Sequence, residues 1–260
     1  MSVEIATILP LSCIHKTINE RYHLSLAHLL HHPVYFKFFR NQVLAGKFVI
    51  MDNGAAEKGG AITLDTLLER TAQLQPSEIV LPDILYDCNQ TLARSRAAIP
   101  EFLALRKPPQ LMAVPQGRTW REWKACALEM LSWPEISTLG ISKFITPELG
   151  AHARLEAVEW LYKVAQIDNS EHPTREAPID IHLLGCWSFP TEVEEITSKY
   201  RIRGTDSAIA YVYTANNLVL TPSVPRPQME IDFLSTQLVD EDLLIFNLRR
   251  WRRYVYLGYV

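Results

Sequence analysis

The sequence has no pair of cysteines spaced to share a metal ion. Its four, Cys13, Cys88, Cys126 and Cys186, are scattered with no C-x-x-C pair. That argues against a structural zinc site and a disulfide framework, and fits a reducing cytoplasm (a host cytoplasm, were the chain phage-encoded). Long apolar runs are missing too. No stretch approaches about 18 apolar residues, so no membrane span is expected. The opening "MSVEIATILPLSCIHK" lacks the basic segment and long apolar run of a secretory signal. Charge of one sign is also lacking: the formal net charge is -3 at pH 7. There is thus no global attraction to nucleic acid, and any such binding has to use a local patch. No Gly-rich phosphate loop follows an early strand, which disfavours an open doubly wound sheet.

What is present is one unit, repeated. Apolar runs at 5–11, 47–52, 78–84, 110–117, 138–142, 180–186 and 201–208 read as buried strands, with "RYHLSLAHLL" (21–30) a weaker candidate leading into a helix. Between most of them lie helical segments at 63–75, 89–105, 119–133, 151–167 and 191–200. Eight strands alternating with helices over about 250 residues predict a single-domain (β/α)8 TIM barrel. The polar stretch 168–178 reads as an exposed loop. "TPSVPRPQ" (221–228) separates the barrel from a C-terminal segment, about 229–260, that is helical, basic and aromatic.

Polar residues recur where these strands end, which in such a barrel is the active-site face. They are Asp52 in "MDNGA", Asp83 in "LPDIL", Gln116 in "PQG", Gly140 in "LGIS", Gly185 in "LLGCW" and Asp206 in "GTDSA". Each alone reads equally well as a helix cap or turn former; their coincidence at one mouth is the signal. Guanine and its 7-deaza analogues present N1–H and an amino group side by side, two donors for one carboxylate. Their O6 takes donors from a Gln amide or a backbone N–H. A further carboxylate near the sugar can attack C1′.

In these residues the chain resembles the tRNA-guanine transglycosylase superfamily, which exchanges guanine for a 7-deazaguanine base on a TIM barrel. "RYHL" resembles the family's "TYHL", "MDNGAAE" its Asp-Ser-Gly-Gly-aromatic-Gln motif, and "VPQGRT" its "QGG" segment. "LGIS" resembles its base-binding turn and "GTDSAIAYVYTA" its archaeal nucleophile motif. The matches run in the family's order over about residues 5–217. The resemblance implies Asp206 as nucleophile and Asp52 as general acid/base. It implies a base pocket of Asp83, Gln116, Gly140, Asn53 and Gly185, with Asn53 and Glu57 standing where the family has Ser and Gln. The family's C-x-C-x-x-C…His zinc motif is missing after Asp206, and the chain is shorter than the tRNA enzymes, with no appended RNA-binding domain.

Those losses point to the short 7-deazaguanine DNA transglycosylases. The expected partners are then DNA and a 7-deazaguanine base such as preQ0 or a derivative, with no cofactor and no metal. The alternatives are tRNA as polymer, a non-catalytic nucleic-acid-binding subunit, and a hydrolase of free nucleosides or an unrelated barrel enzyme. Phosphate contacts are expected from Arg118 and Lys143, just beyond strand ends, with Arg121 a further candidate. Others are expected from Arg249, Arg250, Arg252 and Arg253, which interleave with Trp251, Tyr254 and Tyr256. A solvated basic helix face over a buried aromatic one explains that segment equally well. His31, His32 and His182, with no i, i+4 pair opposite a third ligand, read as structural.

Overall fold

All eight apolar runs become strands, and every neighbouring pair in the ladder is parallel. They are β1 (Glu4–Thr7), β2 (Tyr22–Leu26), β3 (Phe48–Asp52), β4 (Glu78–Val80), β5 (Gln110–Ala113), β6 (Thr138–Ser142), β7 (Asp180–Leu184) and β8 (Gly204–Ser207). The computed structural model describes residues 3–55, 62–149, 153–165, 179–185, 190–222 and 224–257. The expected loop at 168–178, Cys186 and Glu57 lie outside the described residues. The ladder runs β1-β8-β7-β6-β5-β4-β3-β2. Its two end strands are bridged at their flanks, where Thr7 Oγ1 donates to Glu20 Oε1 at 2.9 Å. The result is a nearly closed (β/α)8 barrel.

Among the described residues eight helices surround it: α1 (Pro33–Leu44), α2 (Leu64–Leu74), α3 (Cys88–Leu103), α4 (Trp120–Leu131), α5 (Ala153–Ala165), α6 (Pro190–Lys199), α7 (Ile209–Ala215) and α8 (Glu241–Leu257). Two of these were not singled out from sequence. α1, "PVYFKFFRNQVL", is dense in aromatic residues of high β propensity. It is helical because Pro33 at the first turn starts it and Tyr35, Phe39 and Gln42 fall on one buried face. α7 buries six consecutive residues, Ile209–Thr214, so it has no amphipathic period to read. Two strands stop earlier than their apolar runs. β4 ends before Pro82 and β5 before Pro115, which lack the N–H a ladder needs. The residues past those prolines form the mouth.

At the opposite end the barrel interior is polar. Arg203, just before β8, donates to both carboxylate oxygens of Glu78 at 2.9 and 2.5 Å and to Thr138 Oγ1 at 2.6 Å. Its guanidinium lies over the rings of Tyr22 and Phe48, which are themselves stacked. Glu78 is fully buried. This plug closes the floor beneath the site.

α8 packs on the helical layer with Trp251 buried and runs towards the floor. Lys16, in the β1–β2 connection, pairs with Glu241 at its start. Near its end the Val255 carbonyl accepts from Thr197, in the last turn of α6. Between α7 and α8 the chain crosses the barrel mouth. There the Phe233 and Ser235 carbonyls accept the N–H groups of Leu11 and Ser12, at 3.1 Å each. No helix among the described residues is long and apolar enough to cross a membrane.

Candidate active site

The helix caps settle which strand-end acids have ordinary duties. Asp87, not Asp83, caps α3 by accepting the Gln90 N–H at 2.9 Å. Thr63 and Thr119 cap α2 and α4. At the start of α7 the Ile209 N–H goes to Ser207 Oγ, not to Asp206. Asp52 does serve its backbone, accepting the Gly54 N–H at 2.8 Å in an Asx-type turn. Asp83 and Asp206 are therefore buried carboxylates that the local fold does not require.

Both, with Asp52 and Asn53, line one cavity of about 760 Å³ at the C-terminal ends of the strands. Asp83 sits in it with both oxygens engaged. Oδ1 accepts from Asn53 Nδ2 at 2.7 Å, and Oδ2 accepts from Gln116 Nε2 at 2.6 Å. The two amides are themselves fixed. Asn53 Nδ2 also donates to the Leu81 carbonyl while its Oδ1 accepts the Ala55 N–H, and Gln116 Oε1 accepts the Tyr86 N–H. Burial pushes the Asp83 carboxyl up to about 6, against the lowering effect of the two amide donors. Each Asp83 oxygen keeps a lone pair for a ligand donor.

Asp206 is only 4% exposed. His182 Nε2 lies 3.0 Å from its Oδ1, and the Gly185 N–H donates to Oδ2 at 3.1 Å. Gly185 has φ +66, a conformation that aims its N–H at Asp206 and that few other residues adopt. A side chain there would also press on Lys143 Cδ, 3.1 Å from the position of a Cβ. The turn is held from behind by Arg154, which donates to the Leu184 and Gly185 carbonyls and pairs with Glu192. On its other side His182 Nδ1 is 2.9 Å from the Tyr22 hydroxyl. His182 is fully buried, and that burial lowers its basicity, opposed by Asp206.

The remaining sequence-derived candidates separate. Gln116 is buried and reaches the cavity only through Asp83. Gly140 lies inside the barrel, where a Cβ would stand within about 3 Å of Leu184, Met112 and Val114; it does not line the cavity. Lys143 lines it, and Arg118 is exposed on the adjacent rim. Arg249, Arg250, Arg252 and Arg253 lie in the half of α8 nearer the floor. Of these, Arg250 donates to the Leu220 carbonyl and to the Tyr254 hydroxyl, and Arg252 pairs with Glu20, just ahead of β2.

Sequence reasoning did not identify the crossing segment as part of the site, although Arg226, Glu230 and Asp232 line the mouth from it. Nor did it connect His182 and Tyr22 to Asp206. Among the described residues no group of three or more His, Cys, Asp or Glu is placed to hold a metal ion. No family model matches the chain, and no curated protein matches it either.

Proposed function

We propose that this chain exchanges guanine for a 7-deazaguanine base in a nucleic acid, with DNA the favoured polymer, through a glycosyl ester on Asp206. One observation carries the reading. Two buried carboxylates that cap no helix line one nucleoside-sized cavity, and among the described residues both are supported by uncharged donors only. An anion held by neutral donors keeps more nucleophilic and acceptor character than one quenched by a cation.

In this mechanism Asp83 accepts N1–H and the exocyclic amine of the base. Asp206 attacks C1′ as the C1′–N9 bond breaks, and the departing base takes its proton from Asp52. The incoming base gives its N9 proton to Asp52 and displaces the Asp206 carboxylate. Two displacements give net retention, and one glycosidic bond replaces another, so no external energy source is consumed. The target nucleotide has to leave its stack, because C1′ and the base edge of a paired nucleotide cannot enter the mouth together. Lys143 and Arg118, past the ends of the adjacent strands β6 and β5, offer one cationic side of the rim to phosphates.

A second reading, the same displacement on a free nucleoside with water as acceptor, is favoured by the carboxylates Glu230 and Asp232 over the mouth. They oppose a polyanion. The test is incubation with a labelled base and, separately, single-stranded DNA, duplex DNA, tRNA and guanine nucleosides, followed by denaturing electrophoresis and nucleoside mass spectrometry. A denaturation-resistant adduct with DNA and label in deoxyguanosine positions are expected. Base release from nucleosides alone moves the assignment to the second reading, and the absence of both exchange and base release with every substrate refutes both readings.

A further inference from the structure

The Asp206 carboxylate rests on a buried chain of side chains that no backbone requirement explains. Tyr22 on β2, His182 on β7 and Asp206 on β8 make two consecutive contacts, 2.9 Å from hydroxyl to Nδ1 and 3.0 Å from Nε2 to Oδ1. An ionised carboxylate has no hydrogen to give, so the second contact puts the ring hydrogen on Nε2. The neutral ring then offers a lone pair at Nδ1, and the Tyr22 hydroxyl is the donor that fills it. Every polar atom in the chain is satisfied in this one arrangement.

We infer that His182 is a positioning residue for Asp206, held as its Nε2–H tautomer between that carboxylate and the Tyr22 hydroxyl, and that it acts chiefly when the glycosyl ester breaks. The inference rests on the transglycosylase reading for its consequence in the reaction, but not for the tautomer. Donors to a carboxylate stabilise the free anion more than the ester, which has lost the charge. His182 Nε2–H and Gly185 N–H therefore favour departure of Asp206 in the second displacement. A cation here would do the same but would also blunt the first attack. Full burial favours the neutral ring. The charged and titratable groups around it are Asp206, Tyr22, Arg203 and Glu78, and of these Asp206 and Glu78 favour its protonation while Arg203 opposes it.

Nitrogen-15 NMR of histidine-labelled full-length protein tests the tautomer without reference to activity. A neutral Nε2–H ring that does not titrate between about pH 5 and 8 is expected. In Tyr22→Phe the ring is expected to keep its hydrogen on Nε2, facing Asp206, while the Nδ1 resonance shifts because its donor is gone. A His182 that carries its hydrogen on Nδ1, or that titrates in that range, overturns the proposal.

Adduct kinetics test the role. His182→Gln keeps a donor near Asp206 and should stay within about tenfold of wild type in resolving the adduct. His182→Leu should slow resolution by about 10- to 100-fold, the worth of one charge-assisted hydrogen bond, and so raise the trapped fraction. Equal effects of Gln and Leu, or a lower trapped fraction in a folded His182→Leu protein, overturn the role. A wild-type protein with the locked ring but no adduct on any substrate leaves the relay standing and removes the transglycosylase reading.

Discussion

Asp83 is the group whose cost to the fold can be measured. Its carboxyl is raised from 3.8 to about 6 by burial. A folded-state value above the unfolded one means that the native protein holds the proton more tightly. The associated stability is fully present below the unfolded value and is lost as pH rises through about 6. At about 1.36 kcal/mol for each pH unit of displacement, the ionised carboxylate costs the fold about 3 kcal/mol at neutral pH. About 2 kcal/mol of that is lost between roughly pH 4.5 and pH 7.5.

Asp83→Asn removes this term and adds another that pH does not change. The Asn53 amide is fixed by Leu81 and Ala55, so the new amide N–H₂ has to face Gln116, whose own N–H₂ points at it. Relieving that clash turns Gln116 over and breaks its bond to the Tyr86 N–H, a penalty of about 1–3 kcal/mol. The variant should therefore be less stable than wild type, or equal to it, near pH 4.5. Near pH 7.5 it should be equal or more stable. Urea denaturation of both proteins at the two pH values gives the difference directly. Groups common to both, His182 among them, cancel. A stability difference that stays constant across that range, or moves the other way, refutes the account of Asp83 as a buried charge retained against the interest of the fold. Guanine and deazaguanine affinity, by calorimetry, should fall in the variant by about 10- to 100-fold through loss of a charge-assisted bond.

Asp206→Asn should abolish both adduct and base exchange while its circular dichroism and nucleic-acid binding stay near wild type; near-normal exchange would defeat the assignment. Gly185→Ala should cost about 1–2 kcal/mol, because φ +66 is strained for a residue with a Cβ, and should slow exchange by disturbing the N–H on Asp206; thermal unfolding and initial rates check the two parts. Arg203→Met leaves Glu78 charged and buried, at a cost of about 3–5 kcal/mol, whereas Arg203→Met with Glu78→Leu should recover most of it. Equal destabilisation of the single and double variants in urea would show that the pair is not coupled. Glu230→Gln should tighten binding of a single-stranded DNA oligonucleotide at low salt, lose that gain at high salt, and leave guanosine affinity unchanged. No gain at any salt would mean that a polymer does not pass this segment.

The barrel was legible because its strands are covered on both faces, which leaves continuous apolar runs in the chain. The β6 run at 138–142 coincides with the strand to the residue. What escaped notice needed the register. His182 is level with Gly204, and Asp206 is the next inward-facing residue along β8. From sequence, His182 is one polar residue in "DIHLL" and Tyr22 the start of "YHLSL". Their meeting across the barrel is a property of strand order and stagger. The arginines of α8 were visible as composition, but the direction of that helix towards the floor is set by packing against α6 and α7. Likewise "TPSVPRPQ" was visible as a break, while the path of the next residues across the mouth depends on hydrogen bonds to Leu11 and Ser12.

The three strand-end acids separate by what each would cost to remove. Asp52 holds a turn, so its replacement changes both backbone and chemistry, and a loss of activity there assigns no role by itself. Asp206 caps neither the helix that follows it nor a turn of its own segment, and its two donors, a histidine and a glycine N–H, are themselves held by Tyr22 and Arg154. The support runs from the barrel wall towards the carboxylate, as in a site built to position one group. Asp83 goes further, because its ionised form opposes folding at neutral pH while two amides that could have satisfied backbone alone are turned on to it. A carboxylate kept at a net cost, in a cavity, with unused lone pairs, has its use in what the cavity binds. The ligand should therefore offer Asp83 adjacent hydrogen-bond donors, and its affinity should weaken as pH falls through about 6. A ligand bound equally well at about pH 5 and pH 8 would need Asp83 only as scaffold, and the base-pocket argument would then fail on its own chemistry.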